Sequence, residues 1–271
     1  GRPDARPVLI EAEPRRPPAP RLALLDAVAA RIAPDAARLA EWTDRYRREH
    51  RDRLGADLEL VARHAAPGAR LLEYGAVPLL LTAALDELGY DVSALDLAPD
   101  RFGSAIAELR LDVRRCDVER QAVPFASATF DLVLFNEIFE HLRIDPVFTL
   151  GEALRVLRPR GVLLLSTPNL RSWRGLRHLL LHDRAGTSAG DVYEQYRKLE
   201  TLGHMGHVRE YTVTETAEFL RRVGFVVERV VHRGGHGTGM VGLAERLAPR
   251  LRPFFTLVAR PDASRRGAGS P

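Results

Sequence analysis

The chain has 271 residues, a formal net charge of +4 and a hydrophobic share of 45%, which allows one large α/β domain with additions or two small domains. Its one cysteine, Cys116, rules out a disulfide framework or a cysteine-based zinc site within the chain, which fits a reducing cytoplasm. No apolar run reaches the roughly 20 residues that span a bilayer, no apolar leader is visible near residue 1, and arginine carries the positive charge, since Lys198 is the only lysine.

Residues 1–20 hold six prolines and four arginines and read as a disordered tail. From residue 21, Leu22, Leu24, Leu25, Val28 and Ile32 form a helical stripe that Pro34 stops, and Asp35 can cap the next helix. That second helix carries Leu39, Trp42 and Tyr46 to about residue 53, and a third spans about 56–64. Residues 21–60 are therefore expected to form a helical cap. After the turn at Pro67-Gly68, strands at 70–74, 91–95, 111–114, 130–135 and 161–166 alternate with helices at 79–88, 99–109 and 149–157. This rhythm predicts a parallel, doubly wound sheet within a domain over 61–260.

Residues 170–206 break the rhythm and read as an insertion over the active edge. Arg171, Arg174, Arg177, His178, His182, Tyr193 and Tyr196 are its polar and aromatic candidates. Thr212 caps a helix over 213–223, and strand 225–231 follows. The GGHGTG run at 234–239 lacks the Lys-Ser/Thr of a phosphate loop and reads as a turn. A helix over 241–247 leads to a last strand, 254–259, expected to pair antiparallel with its predecessor. Residues 261–271 read as a second disordered tail.

The chemistry gathers at strand ends, where open α/β sheets bind ligands. Glu73-x-Gly75 ends the first strand of the alternating series, and a glycine there lets backbone approach a ligand closely. Asp96, with Leu97 beside it, ends the next strand 21 residues after Gly75, the place of an acid that grips ribose hydroxyls. Asp117, with Val118 beside it, ends the third and suits an adenine amine. The fourth strand turns at Asn136 into an expected helix, FDLVLFNEIFEHL, on which Glu137, Glu140 and His141 would share one face.

The segments LLEYGAVPLLLTAALDELGYDVSALDLAPD, CDVERQAVPFASATFDLVLFNEIFEHL, ALRVLRPRGVLLLSTPN and HVREYTVTETAEFLRRVGF resemble the successive motifs of class I S-adenosylmethionine-dependent methyltransferases over about 70–260. The resemblance implies a Rossmann-like seven-stranded sheet, six strands parallel and the last antiparallel. It implies that Glu73 and Gly75 lie at the methionine, Asp96 and Leu97 at the ribose, and Asp117 and Val118 at the adenine, with Asn136 beside the cofactor. One departure is that Val77, Pro78 and Leu79 stand where the family carries more glycine.

The E-x-x-E-H pattern is similar to that of ubiquinone-biosynthesis O-methyltransferases. With a later histidine, His207 ahead of Glu210-Tyr211-Thr212, it also resembles small-RNA 2′-O-methyltransferases. That resemblance implies a divalent ion, Mg²⁺ or Mn²⁺, on Glu137, Glu140, His141 and His207; His141 or His207, if not a ligand, is a candidate general base, and Glu140 is a further catalytic candidate. The bland alternative is a scaffold role for Glu140-His141. His204 reads as a loop or substrate contact beside Met205. The leading expectation is O-methylation of a small molecule or glycan bearing neighbouring hydroxyls. RNA 2′-O-methylation and a non-catalytic binding protein of the same fold are the rivals.

Overall fold

The computed structural model describes residues 8–14, 16–185, 193–194, 196–198, 206–235 and 238–264. In chain order the elements are β1 (Leu9–Ala12), α1 (Ala19–Ala29), α2 (Ala40–His64), β2 (Arg70–Tyr74), α3 (Leu80–Glu87), β3 (Asp91–Asp96), α4 (Gly103–Leu109) and β4 (Asp112–Arg115). Then come β5 (Phe130–Asn136), α5 (Pro146–Val156), β6 (Leu157–Pro168), α6 (Trp173–His182), α7 (Val213–Val223), β7 (Phe225–Arg233), α8 (Gly239–Leu247) and β8 (Phe254–Pro261). Among the described residues the strands form one sheet of eight, ordered β1-β7-β8-β6-β5-β2-β3-β4.

Strands covered on both faces read as continuous apolar runs rather than alternating ones, and β2, β5 and β6 do so. Leu71, Leu132, Leu134 and Leu164 face one core with Leu58 of α2 and Leu80 and Ala84 of α3. Their neighbours Leu72, Val133, Phe135 and Leu163 face the other, with Leu150 of α5 and Leu220 of α7. The period-2 alternation of a strand thus feeds two cores from one sequence run. Only β8 runs antiparallel, wedged between β6 and β7.

Two expectations change here. Residues 9–12, assigned to the tail, form β1, which pairs parallel with β7 from Leu9↔Arg229 to Ala12↔His232 and makes the sheet one strand larger than expected. An edge strand can be held by its ladder and by charge pairs rather than by apolar periodicity, and Glu11 pairs with Arg229. The break expected between residues 53 and 56 is also missing, because α2 is continuous through Gly55. A Cβ at Gly55 would lie 2.8 Å from Leu22 Cδ2 and 2.9 Å from Pro17 Cβ, so this glycine admits the preceding segment rather than ending the helix.

Candidate active site

The turn after β2 begins the site. Gly75 takes φ +76°, and its N–H and that of Ala76 donate to Leu95 O at 2.8 and 3.1 Å. A Cβ on Gly75 would fall 2.2 Å from Ile138 Cδ1, so the position admits only glycine without movement. Leu79, at the end of this loop, is itself left-handed at φ +71° and buries its side chain in the core. Such a backbone costs an ordinary residue about 1–2 kcal/mol, and burying a leucine returns about 1.5–3 kcal/mol. Val77 N–H donates to Asp96 Oδ2 at 3.1 Å.

Asp96 ends β3 with its other oxygen, Oδ1, accepting from Ala98 N at 2.8 Å and Arg101 Nη2 at 3.2 Å. Asp117 follows β4 and accepts from Glu119 N at 3.2 Å. Glu119 Oε1 in turn accepts from the backbone N–H of Arg143 at 2.7 Å and of Ile144 at 2.6 Å, and so ties down the loop beyond His141. Asn136 ends β5 with its amide nitrogen and oxygen both buried and unbonded among the described residues.

The chain beyond Asn136 is not the expected helix. Glu137 is left-handed at φ +55°, and residues Phe139–His141 make one 3-10 turn. Glu137 therefore parts from Glu140 and His141 instead of sharing a face with them. It accepts from Ser166 Oγ at 2.9 Å and pairs with Arg53 Nη1 at 3.7 Å. Glu140 is 0% exposed and accepts from Thr167 Oγ1 at 2.9 Å, while its Oε1 has no hydrogen-bond donor among the described residues. That Oε1 faces His207 Nε2 at 3.8 Å. The rings of His141 and His207 lie 5.0 Å apart, edge to face. One ligand atom from each of Glu140, His141 and His207 falls within 4.8 Å of the others, and Glu137 stays outside this group.

Burial, then the neighbouring charge of Glu137, raises the Glu140 carboxyl well above its ordinary value. Burial, then His141, Lys198 and Arg53, lowers His207 to about 4. A carboxyl whose ionised form is disfavoured by burial thus sits beside an imidazole that is neutral at pH 7.

A cavity of about 360 Å³ lies between the strand ends and α2. Its wall includes Gly75, Asp96, Leu97, Asp117, Val118, Asn136, Glu137, His141 and His207. Two expected residues are not on it. Glu73 is 6% exposed and turned to Thr82 Oγ1 at 2.5 Å, and Glu140 lies behind the two histidines. From α2, Trp42, Tyr46 and Arg53 complete the wall. Trp42 and Tyr46 are in ring contact at 5.6 Å, and Arg53 donates to Tyr46 Oη at 3.1 Å. Arg53 was missed because nothing in the sequence of a charged helix marks which arginine turns inward. His178 and His182 pack on each other along α6, Tyr193 and Tyr196 are exposed, and none of the four lines the cavity. His204 and Met205 lie outside the described residues.

A family model described as "Methyltransferase domain" matches residues 40–230. The chain belongs to this methyltransferase-domain family. The match begins where α2 begins, so it takes in the cap helix beside the cavity together with strands β2 to β6, and it ends within β7. Among curated relatives, a ubiquinone biosynthesis O-methyltransferase of Xanthomonas campestris pv. campestris is 37% identical over 115 residues, 41% of this chain and 47% of that protein. One of the same name from Xanthomonas axonopodis pv. citri is 36% identical over 118 residues, 41% of this chain and 48% of that one. The chain thus spans about half the length of these relatives. Among solved structures, a methyltransferase of Thermotoga maritima superposes with a TM-score of 0.54 at 16% identity, covering 82% of this chain and 96% of that one. One from Mesorhizobium loti gives 0.53 at 20% identity, covering 75% and 97%. These two superpositions show that the methyltransferase-domain family member has their fold.

Proposed function

We propose that this methyltransferase-domain protein transfers the methyl group of S-adenosylmethionine to a hydroxyl oxygen of a small molecule or glycan. The observation that carries this reading is one cavity wall: Gly75, Asp96, Asp117 and Asn136 end or follow four strands of the sheet, and His141 and His207 line the same space. The residues fit the cofactor. Gly75 leaves a cradle that a Cβ would fill, and Asn136 presents an unbonded buried amide. Asp96 suits the ribose hydroxyls, Asp117 and Val118 the adenine, and the Arg53 guanidinium the cofactor's carboxylate. When bound, the cofactor supplies a sulfonium methyl open to in-line attack.

His207, held neutral at pH 7, has a free lone pair for the hydroxyl proton as general base. Arg53, Trp42 and Tyr46 close the opposite side and exclude water from the transfer. In a second arrangement, in which His207 gives its lone pair as a ligand rather than as a base, Glu140 Oε1, without a donor among the described residues, would hold Mg²⁺ or Mn²⁺ together with His141 and His207. When bound, such an ion acts as a Lewis acid on a hydroxyl.

Calorimetric titration with S-adenosylhomocysteine, with and without Mn²⁺, tests both parts. Micromolar binding that Asp96→Ala abolishes supports the cofactor site, and absence of binding in every condition sinks it. Turnover of a hydroxylated acceptor that EDTA leaves unchanged would remove the metal and keep the rest.

A further inference from the structure

Arg233 closes β7 off the cavity wall, and it is 2% exposed and bonded at all three guanidinium nitrogens. Its Nε donates to Glu13 Oε1 at 2.9 Å. Its Nη1 donates to Asp57 Oδ1 at 2.5 Å and to Thr256 Oγ1 at 3.1 Å. Its Nη2 donates to the backbone oxygen of Arg53 at 3.1 Å. Glu13 is fixed in turn. Gly234 N–H donates to its Oε2 at 3.4 Å, and Arg252 Nη1 donates to its carbonyl at 2.6 Å.

A buried arginine between two carboxylates is an inefficient way to stabilise a core, since apolar side chains of equal volume do as well or better. What the arrangement provides is position. Arg233 grips α2 at Arg53 and Asp57, one turn apart, and Arg53 is the residue that reaches the cavity and pairs with Glu137. The clamp therefore sets the depth and rotation of the helix turn that forms the cap side of the cavity. Its outer anchor, Glu13, follows an edge strand, 40 residues before Arg53 in sequence.

We propose that Glu13, Arg233 and Asp57 form a positioning network that holds Arg53 in register with the cofactor cavity, so that the segment at β1 tunes cofactor affinity without touching the cofactor. This rests on the reading of the cavity as a cofactor site. A purely structural clamp would change thermal stability and leave affinity alone, whereas a positioning network changes affinity through Arg53.

The test uses the full chain and S-adenosylhomocysteine in calorimetry, with melting temperature alongside, for wild type, Arg53→Gln, Glu13→Ala, Glu13→Gln and Arg53→Gln/Glu13→Ala. Glu13→Ala is expected to weaken binding about tenfold, which corresponds to about 1.4 kcal/mol of lost interaction through Arg53. Glu13→Gln, which keeps the shape and one acceptor, should recover part of that loss and serves as the folded variant if Glu13→Ala melts too early. In the Arg53→Gln background Glu13→Ala should add little further loss. Weaker binding on Arg53→Gln with unchanged affinity in both Glu13 variants overturns the network and leaves the cofactor site standing. Full additivity of the two substitutions overturns it as well. A wild-type chain that binds nothing, or an Arg53→Gln variant that binds like wild type, fails the reading beneath it.

Discussion

Arg53 Nη1 lies 3.7 Å from Glu137 Oε1, an ion pair that joins the cap helix to the residue following β5. Burial opposes the charge on Arg53, but Tyr46, Glu137, Asp57 and Glu140 outweigh it and hold the guanidinium above its usual value. Burial likewise raises the Glu137 carboxyl, with Arg53 pulling against it. Removing one member of such a pair leaves a buried charge alone. Arg53→Met should therefore cost about 2–3 kcal/mol in urea unfolding, and adding Glu137→Gln should restore part of it. If the two losses simply add, the pair is not coupled.

Gly75 makes a sterically sharper prediction. Gly75→Ala meets both a left-handed φ of +76° and the Ile138 side chain. The backbone term alone is about 1 kcal/mol or more, and the displaced Ile138 lies on the cavity wall. The variant should lose at least about tenfold in S-adenosylhomocysteine affinity, since each 1.4 kcal/mol is a factor of ten. Ile138→Ala should return the steric part of that loss and leave the conformational part. Recovery to wild-type affinity would show that φ is irrelevant here.

Glu73 gives the pH dependence. Burial pushes its carboxyl up to about 8, against the help of its Thr82 hydrogen bond, from an ordinary 4.5. The folded chain then binds more protons than the unfolded chain between these values, so this group's contribution is present in full below about 4.5 and is lost as pH rises towards 8. The slope is at most about 1.4 kcal/mol per pH unit for one group. Glu73→Gln should remove it, so the variant gains on wild type as pH rises from 5 to 8.5 in chemical unfolding. A constant difference across that range would refute the protonated state. Because Glu73 is off the cavity wall, the same variant should bind S-adenosylhomocysteine within about threefold of wild type.

The metal arm is checked by melting rather than turnover. A ligand that binds only the folded state at a hundred times its dissociation constant adds about 2.7 kcal/mol. Mn²⁺ should therefore raise the melting temperature of wild type but not of Glu140→Gln or His207→Ala. An equal rise in all three would place the ion elsewhere.

Much of this was legible in sequence where the local signal is strong. The helix at Val213–Val223 has its predicted bounds because a Thr212–Glu215 capping box opens it and Gly224, at φ +120°, closes it. The strand end carrying Asp96 follows from an apolar run that stops at a carboxylate, whereas β4, DVRR, has one apolar residue and stops two residues short of Asp117. The helix expected from Asn136 onward failed because spacing cannot see that Glu137 turns left-handed, a conformation no propensity would assign to a glutamate. The Glu13–Arg233–Asp57 cluster was invisible for a different reason: its members lie 44 and 176 residues apart, and composition alone made the first of them tail.

Glu119 holds the backbone of Arg143 and Ile144 from a position two residues past Asp117. The rim that Leu142 and Arg143 form on one side of the cavity is thus carried by the segment whose Asp117 and Val118 line another part of it. One carboxylate thus ties two parts of the cavity wall together. A ligand that settles against Asp117 and Val118 therefore bears, through Glu119, on the backbone of the opposite rim.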